Sequence, residues 1–169
     1  MQLSLSAPLL ESLTIDLDSE CSPQHDPVIL ATLFNRNLSL LCELCLQRVY
    51  TELPWRNMVN LTLFTLSYTS LGDSSARHLL DFFASAPHLC KIQLHFTTLA
   101  FGTQWGRLVS LQNLKRMYIF GGGPPSLLLD HLLILAGAKL MTEVDSCSSL
   151  HLPKSLDFVK EFYRFRIHL

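Results

Sequence analysis

One short pattern constrains this chain more than any other feature: an apolar residue, two variable ones, an apolar, one variable, an apolar. It recurs as Leu10-Leu13-Ile15, Leu41-Leu44-Leu46, Leu61-Phe64-Leu66, Leu89-Ile92-Leu94 and Leu114-Met117-Ile119. Weaker echoes are Leu3-Leu5 near the start and Phe162-Phe165-Ile167 near the end. Successive units begin at 10, 41, 61, 89 and 114, a mean step of 26 residues. In a strand alternate side chains share a face, so the second and third apolar positions of each unit point the same way. The first apolar residue closes the turn that leads into the strand. A lone strand of this kind cannot hide its apolar face, whereas stacked copies bury a continuous stripe.

Between the predicted strands lie helix signals. Asp26-Pro27 precedes Val28 to Phe34, and Asp73 opens a helix over Ser74 to Ser85 with Leu79, Leu80, Phe82 and Phe83 on one side. Pro124-Pro125-Ser126 leads into a predicted helix over Leu127 to Ala136 that stops at Gly137, with Ser126 able to cap it. Lys154 to Phe165 is a last amphipathic candidate. The expected fold is α/β: a short irregular solenoid of five or six leucine-rich-repeat-like units, with a parallel sheet on one side and helices and loops on the other. A single domain is expected over 1–169, with core repeats over about 7–145 and a C-terminal extension or last irregular repeat over 146–169. An ordinary α/β sheet without a true repeat is the competing architecture.

Several residues carry a family resemblance. Ala7-Pro8-Leu9-Leu10-Glu11-Ser12-Leu13, the stretch from Leu53-Pro54-Trp55-Arg56-Asn57-Met58 to Leu61, and Ser85-Ala86-Pro87-His88-Leu89 together resemble the repeat region of fungal, basidiomycete-type F-box proteins. The resemblance spans about residues 7 to 145. It implies the substrate-recognising part of an adaptor for a cullin–RING ubiquitin ligase, binding a protein substrate and reaching ligase subunits through an F-box. Two departures stand out. No F-box segment is read in the chain, and repeat-like sequence begins almost at Met1. The asparagine usual three positions after the third apolar residue is replaced by Asp18, Val49, Thr69, Thr97 and Gly122, of which the two threonines are partial substitutes.

Composition excludes several function classes. Thirteen Lys and Arg face fourteen Asp and Glu, a net charge of −1, which argues against a strongly basic nucleic-acid binder. Charged residues make up 16% of the chain and hydrophobic ones 49%, where about 25% charged is usual. So apolar a surface reads as one that expects company, or as a truncated repeat fragment lacking its cap. No apolar run reaches the ~20 residues of a membrane helix. The first 35 residues hold five acids and no base, unlike a secretion signal. An odd cysteine count (Cys21, Cys42, Cys45, Cys90, Cys147) then points to a reducing, intracellular setting, cytoplasm or nucleus. The Asn37-Leu38-Ser39 and Asn60-Leu61-Thr62 triplets read as chance glycosylation matches.

Candidate chemistry dissolves on inspection. Cys42-x-x-Cys45 has no second pair for zinc and sits in a strand motif rather than at a helix mouth. Gly121-Gly122-Gly123-Pro124-Pro125-Ser126 lacks the Lys-Ser/Thr ending of a phosphate loop, and its prolines remove backbone donors. The seven histidines form no His-Glu-x-x-His pair; His78 and His131 are placed in helices, His88 in a turn and His95 near a strand end. Trp55 and Trp105 read as core fillers under loops. No cofactor, metal or catalytic set is expected, although a small α/β enzyme with dispersed site residues is a competing class.

What remains is a surface. The variable strand positions point outward: Ser12, Thr14, Asp16; Glu43, Cys45, Gln47; Leu63, Thr65, Ser67; Lys91, Gln93, His95; Arg116, Tyr118, Phe120. This row begins acidic and ends basic and aromatic, and from Phe82 to Leu129 there is no acid. Aromatic and Arg side chains are preferred interface anchors, so the partner-binding residues are expected to be Lys91, Gln93, His95, Arg116, Tyr118 and Phe120.

Overall fold

The computed structural model describes residues 9–16, 38–49, 58–71, 75–99, 108–121, 125–135 and 137–143. Along the chain these form β1 (Ser12–Asp16), β2 (Glu43–Gln47), β3 (Leu63–Ser67), β4 (Ser70–Leu71), α1 (Ser75–Ser85), β5 (Lys91–His95), β6 (Thr98–Leu99), β7 (Val109–Leu111), β8 (Arg116–Phe120), α2 (Pro125–Leu129), β9 (Leu132–Ile134) and β10 (Lys139–Glu143). Six of the strands build one sheet in the order β1-β2-β3-β5-β8-β10, every neighbouring pair parallel. The protein is therefore α/β, with a six-stranded parallel sheet whose spatial order is the chain order. The strands start at 12, 43, 63, 91, 116 and 139, which are 31, 20, 28, 25 and 23 residues apart.

The apolar pattern explains both the turns and the faces. Leu41, Leu61, Leu89 and Leu114 each donate a backbone N–H to the carbonyl three residues back, so each closes the turn before its strand. The second and third apolar residues of the four inner units (Leu44 and Leu46, Phe64 and Leu66, Ile92 and Leu94, Met117 and Ile119) are all buried. In β1, at the sheet edge, Leu13 and Ile15 are half-buried against the same core. Helix α1 packs on the inner face with Leu79, Leu80, Phe82 and Phe83 buried, and Val109, Leu111, Leu128, Leu129, Leu132 and Ile134 join the same core. Phe64 meets Phe82 at 4.7 Å and Phe83 at 6.1 Å between ring centroids, so the centre of the core is an aromatic cluster. Beside α1 lies β7, paired in parallel with β9, and β4 and β6 form a second short parallel pair.

The predicted helix over Leu127 to Ala136 is a correction. Helix α2 ends at Leu129, His131 lies in a turn rather than in a helix, and Leu132–Ile134 is strand β9, paired with β7. Burial from Leu132 to Leu135 alternates inside and out, the period of a strand. Gly137 has a left-handed φ of +101°, but it turns the chain from β9 into β10 instead of stopping a helix. The candidate helices over 28–34 and 154–165, Trp55, Trp105 and the apolar echoes at both ends lie outside the described residues.

Side-chain bonds to backbone carbonyls tie neighbouring units together. On the turns before the strands, Asn60 Nδ2 donates to the Ser39 carbonyl at 2.6 Å and Asn113 Nδ2 to the Pro87 carbonyl at 2.9 Å. After the strands, where the usual asparagine is missing, the Thr97 hydroxyl lies 3.3 Å from both the Leu66 carbonyl on the neighbouring unit and the His95 carbonyl of its own. Thr69 bonds only within its own unit, to the Ser67 carbonyl at 3.0 Å.

Candidate functional site

The outer face of the sheet is set by the strand period and by register. Direct partners across β5 and β8 are Lys91 with Arg116, Gln93 with Tyr118, and His95 with Phe120. All six predicted binding residues thus occupy one patch of two adjacent strands. Arg116 is exposed and the other five are half-buried, accessible from the outer side. The rest of the face follows its expected alternation, except that Ser67 is buried. Strand β10 extends the rows with Lys139 opposite Arg116 and Met141 opposite Tyr118. These two went unread because β10 carries Gly137 and Thr142 where the other units have apolar residues.

Aromatic rings gather at the C-terminal end of the patch. His95 stacks on Phe120 at 4.9 Å, and Tyr118 lies 6.1 Å from Phe120 in a near-parallel arrangement. Just beyond the strand ends, Tyr68 and Phe96 stack at 5.0 Å with an interplanar angle of 12°, each 51% exposed. At the other end, Lys91 Nζ sits 5.8 Å from the centre of the Tyr118 ring, a cation–π contact.

This platform rests on a repeated backbone device. The residue after each of β2, β3, β5 and β8 is left-handed: Arg48 (φ 54°), Tyr68 (51°), Phe96 (47°) and Gly121 (63°). Three of these are not glycine, and such a conformation costs about 1–2 kcal/mol per L-residue. The cost is offset because each keeps its N–H in the ladder. Arg48 donates to the Ser67 carbonyl, Tyr68 to His95 and Phe96 to Phe120, at 2.9, 2.8 and 2.6 Å. The turn then throws the side chain outward. Gly121 is needed for a second reason, since a Cβ there would lie 2.6 Å from Cδ1 of Phe96. The Phe96 ring is seated on bare backbone.

Electrostatics divide the face. Glu43 and Asp16 mark the β1–β2 end, where Asp16 accepts from Arg48 in an ion pair. Burial pushes the Cys45 thiol pKa up, and the Asp16 carboxylate pushes it further, so Cys45 is held as a thiol. Burial lowers the pKa of His95, which stays a neutral ring on Phe120.

At the opposite, N-terminal end of the strands runs an open groove of about 530 Å³, lined in part by Glu11, Cys42, Asn60, His88, Cys90 and Asn113. Its thiols donate to the Leu40 and His88 carbonyls at 3.3 Å, and its two amides make the inter-unit bonds described above. Those donors hold the turns in place. Among the described residues no group of three or more His, Cys, Asp or Glu could hold a metal ion. No described helix is long and apolar enough to cross a membrane. Comparison with protein-family models, curated proteins and solved structures finds no match.

Proposed function

We propose that this chain is a leucine-rich-repeat-like solenoid acting as a non-catalytic protein-interaction module, with the outer face of β5 and β8 as its docking strip. The repeat reading is supported by strands that succeed one another in chain order, all parallel, at a spacing of about 25 residues. The single observation that carries the binding reading is the register of Lys91, Gln93 and His95 against Arg116, Tyr118 and Phe120. It assembles two cations and two aromatic rings of the kinds that anchor interfaces, beside a further exposed aromatic pair. The resemblance to F-box proteins adds a role to this reading: selection of a protein substrate for a cullin–RING ligase.

The test is quantitative co-purification with the full chain and with the Lys91→Glu/Arg116→Glu variant. Partner recovery is expected to fall while the circular dichroism spectrum and unfolding midpoint stay unchanged, since both side chains point away from the core. Equal recovery by the two chains refutes the strip. Cullin-ligase subunits among the specifically recovered proteins support the adaptor role, and their absence counts against it.

A further inference from the structure

The proposed strip has two chemically distinct ends on the same two strands. At the N-terminal end Lys91 and Arg116 are direct cross-strand neighbours, on strands about 4.8 Å apart. Like charges placed so destabilise a sheet. Among the described residues no carboxylate pairs with either cation, and Lys91 is engaged only by the face of the Tyr118 ring. No acid occurs in the sequence between Phe82 and Leu129. At the C-terminal end Phe120 and His95 adjoin Tyr68 and Phe96, two stacked rings half open to solvent. That end offers a flat apolar seat.

From Arg116 to Phe120 is four residues of strand, about 13 Å. An extended peptide has the same rise and the same period, so its residues i and i+4 project from one face at that separation. We infer that the strip takes an extended acidic peptide lying along β5 and β8. Its carboxylate pairs with Lys91 and Arg116, and an aromatic side chain four positions away stacks on the Phe96–Phe120 end. The inference rests on reading this face as a docking strip and names the chemistry of the partner segment. A single-stranded nucleic acid would also bring negative charge and stacking rings. Lys139 extends the cation row onto β10, but such a strand fits less well, because the same sheet carries Asp16 and Glu43 and, in register with Phe120, Glu143, which interrupt a backbone-tracking groove.

Fluorescence anisotropy with the full chain tests this. The probe is a labelled Gly/Ser peptide of about ten residues carrying glutamate and phenylalanine four positions apart, prepared in both chain orders. One order is expected to bind at least about tenfold more tightly than the same peptide with a two-residue spacing, and than the peptide with lysine for glutamate. Binding should weaken about tenfold in Lys91→Glu/Arg116→Glu, and that variant should regain affinity for the lysine peptide. Affinity independent of spacing or of charge sign, or tighter binding of a labelled oligonucleotide of similar length, overturns the peptide chemistry and leaves the docking face standing. If no probe binds and the Lys91→Glu/Arg116→Glu variant recovers partners as well as the native chain, both readings fail together.

Discussion

Gly121 shows how much a single position can carry. It takes the left-handed conformation that Arg48, Tyr68 and Phe96 adopt at a cost, and its missing Cβ makes the seat for the Phe96 ring. Gly121→Ala is therefore expected to lower stability by about 1–2 kcal/mol in denaturant unfolding, with the Phe96 resonances displaced. An unchanged midpoint would mean that the seat is not needed. His95 makes a second residue-scale case. Its folded pKa lies below the ordinary 6.5, so the unfolded chain binds its proton first. The stability contributed by the neutral ring is then full above pH 6.5 and lost as pH falls from there through the folded pKa. An NMR titration should place the His95 midpoint below 6.5, and Phe120→Ala should move it back upward by exposing the ring. Neither role was legible in the sequence. Tyr68 and Phe96 follow their strands as ordinary aromatics, and only backbone angles reveal that they are turned outward as a pair.

At the scale of elements, five strands of the main sheet were legible because their apolar spacing has one reading: a turn-closing residue, then two inward side chains. Helix α1 was equally clear, its apolar residues falling on one side. The segment after α2 misled because a short leucine-rich run fits helix and strand alike, and pairing with β7 decided for a strand. That outcome separates two mutations. Leu132 is buried and Leu133 is 46% exposed. Leu132→Ala should cost about 2–5 kcal/mol, whereas Leu133→Lys should stay within about 0.5 kcal/mol of the native chain in chemical denaturation. Equal costs would argue for a helix through this segment. Strand β10 escaped notice because Thr142 occupies a buried apolar position, its hydroxyl without a hydrogen-bond partner among the described residues.

For the whole molecule, chain order and spatial order coincide, so charge patterning along the sequence becomes charge patterning across a face. An acidic beginning and a basic, aromatic end are thereby laid out on one sheet, and all six residues anticipated for binding fall on adjacent strands. The aromatic extension through Tyr68 and Phe96 was not anticipated, since it depends on the left-handed turns. The outer sheet face must then be the one that meets a partner. Site-specific photo-crosslinking in cells tests this most directly, with the crosslinker placed at Gln93 on the outer face or at exposed Ala84 on α1. A discrete protein adduct is expected from Gln93 that disappears in the Lys91→Glu/Arg116→Glu background, and none from Ala84. A discrete adduct from Ala84 with none from Gln93 would contradict it.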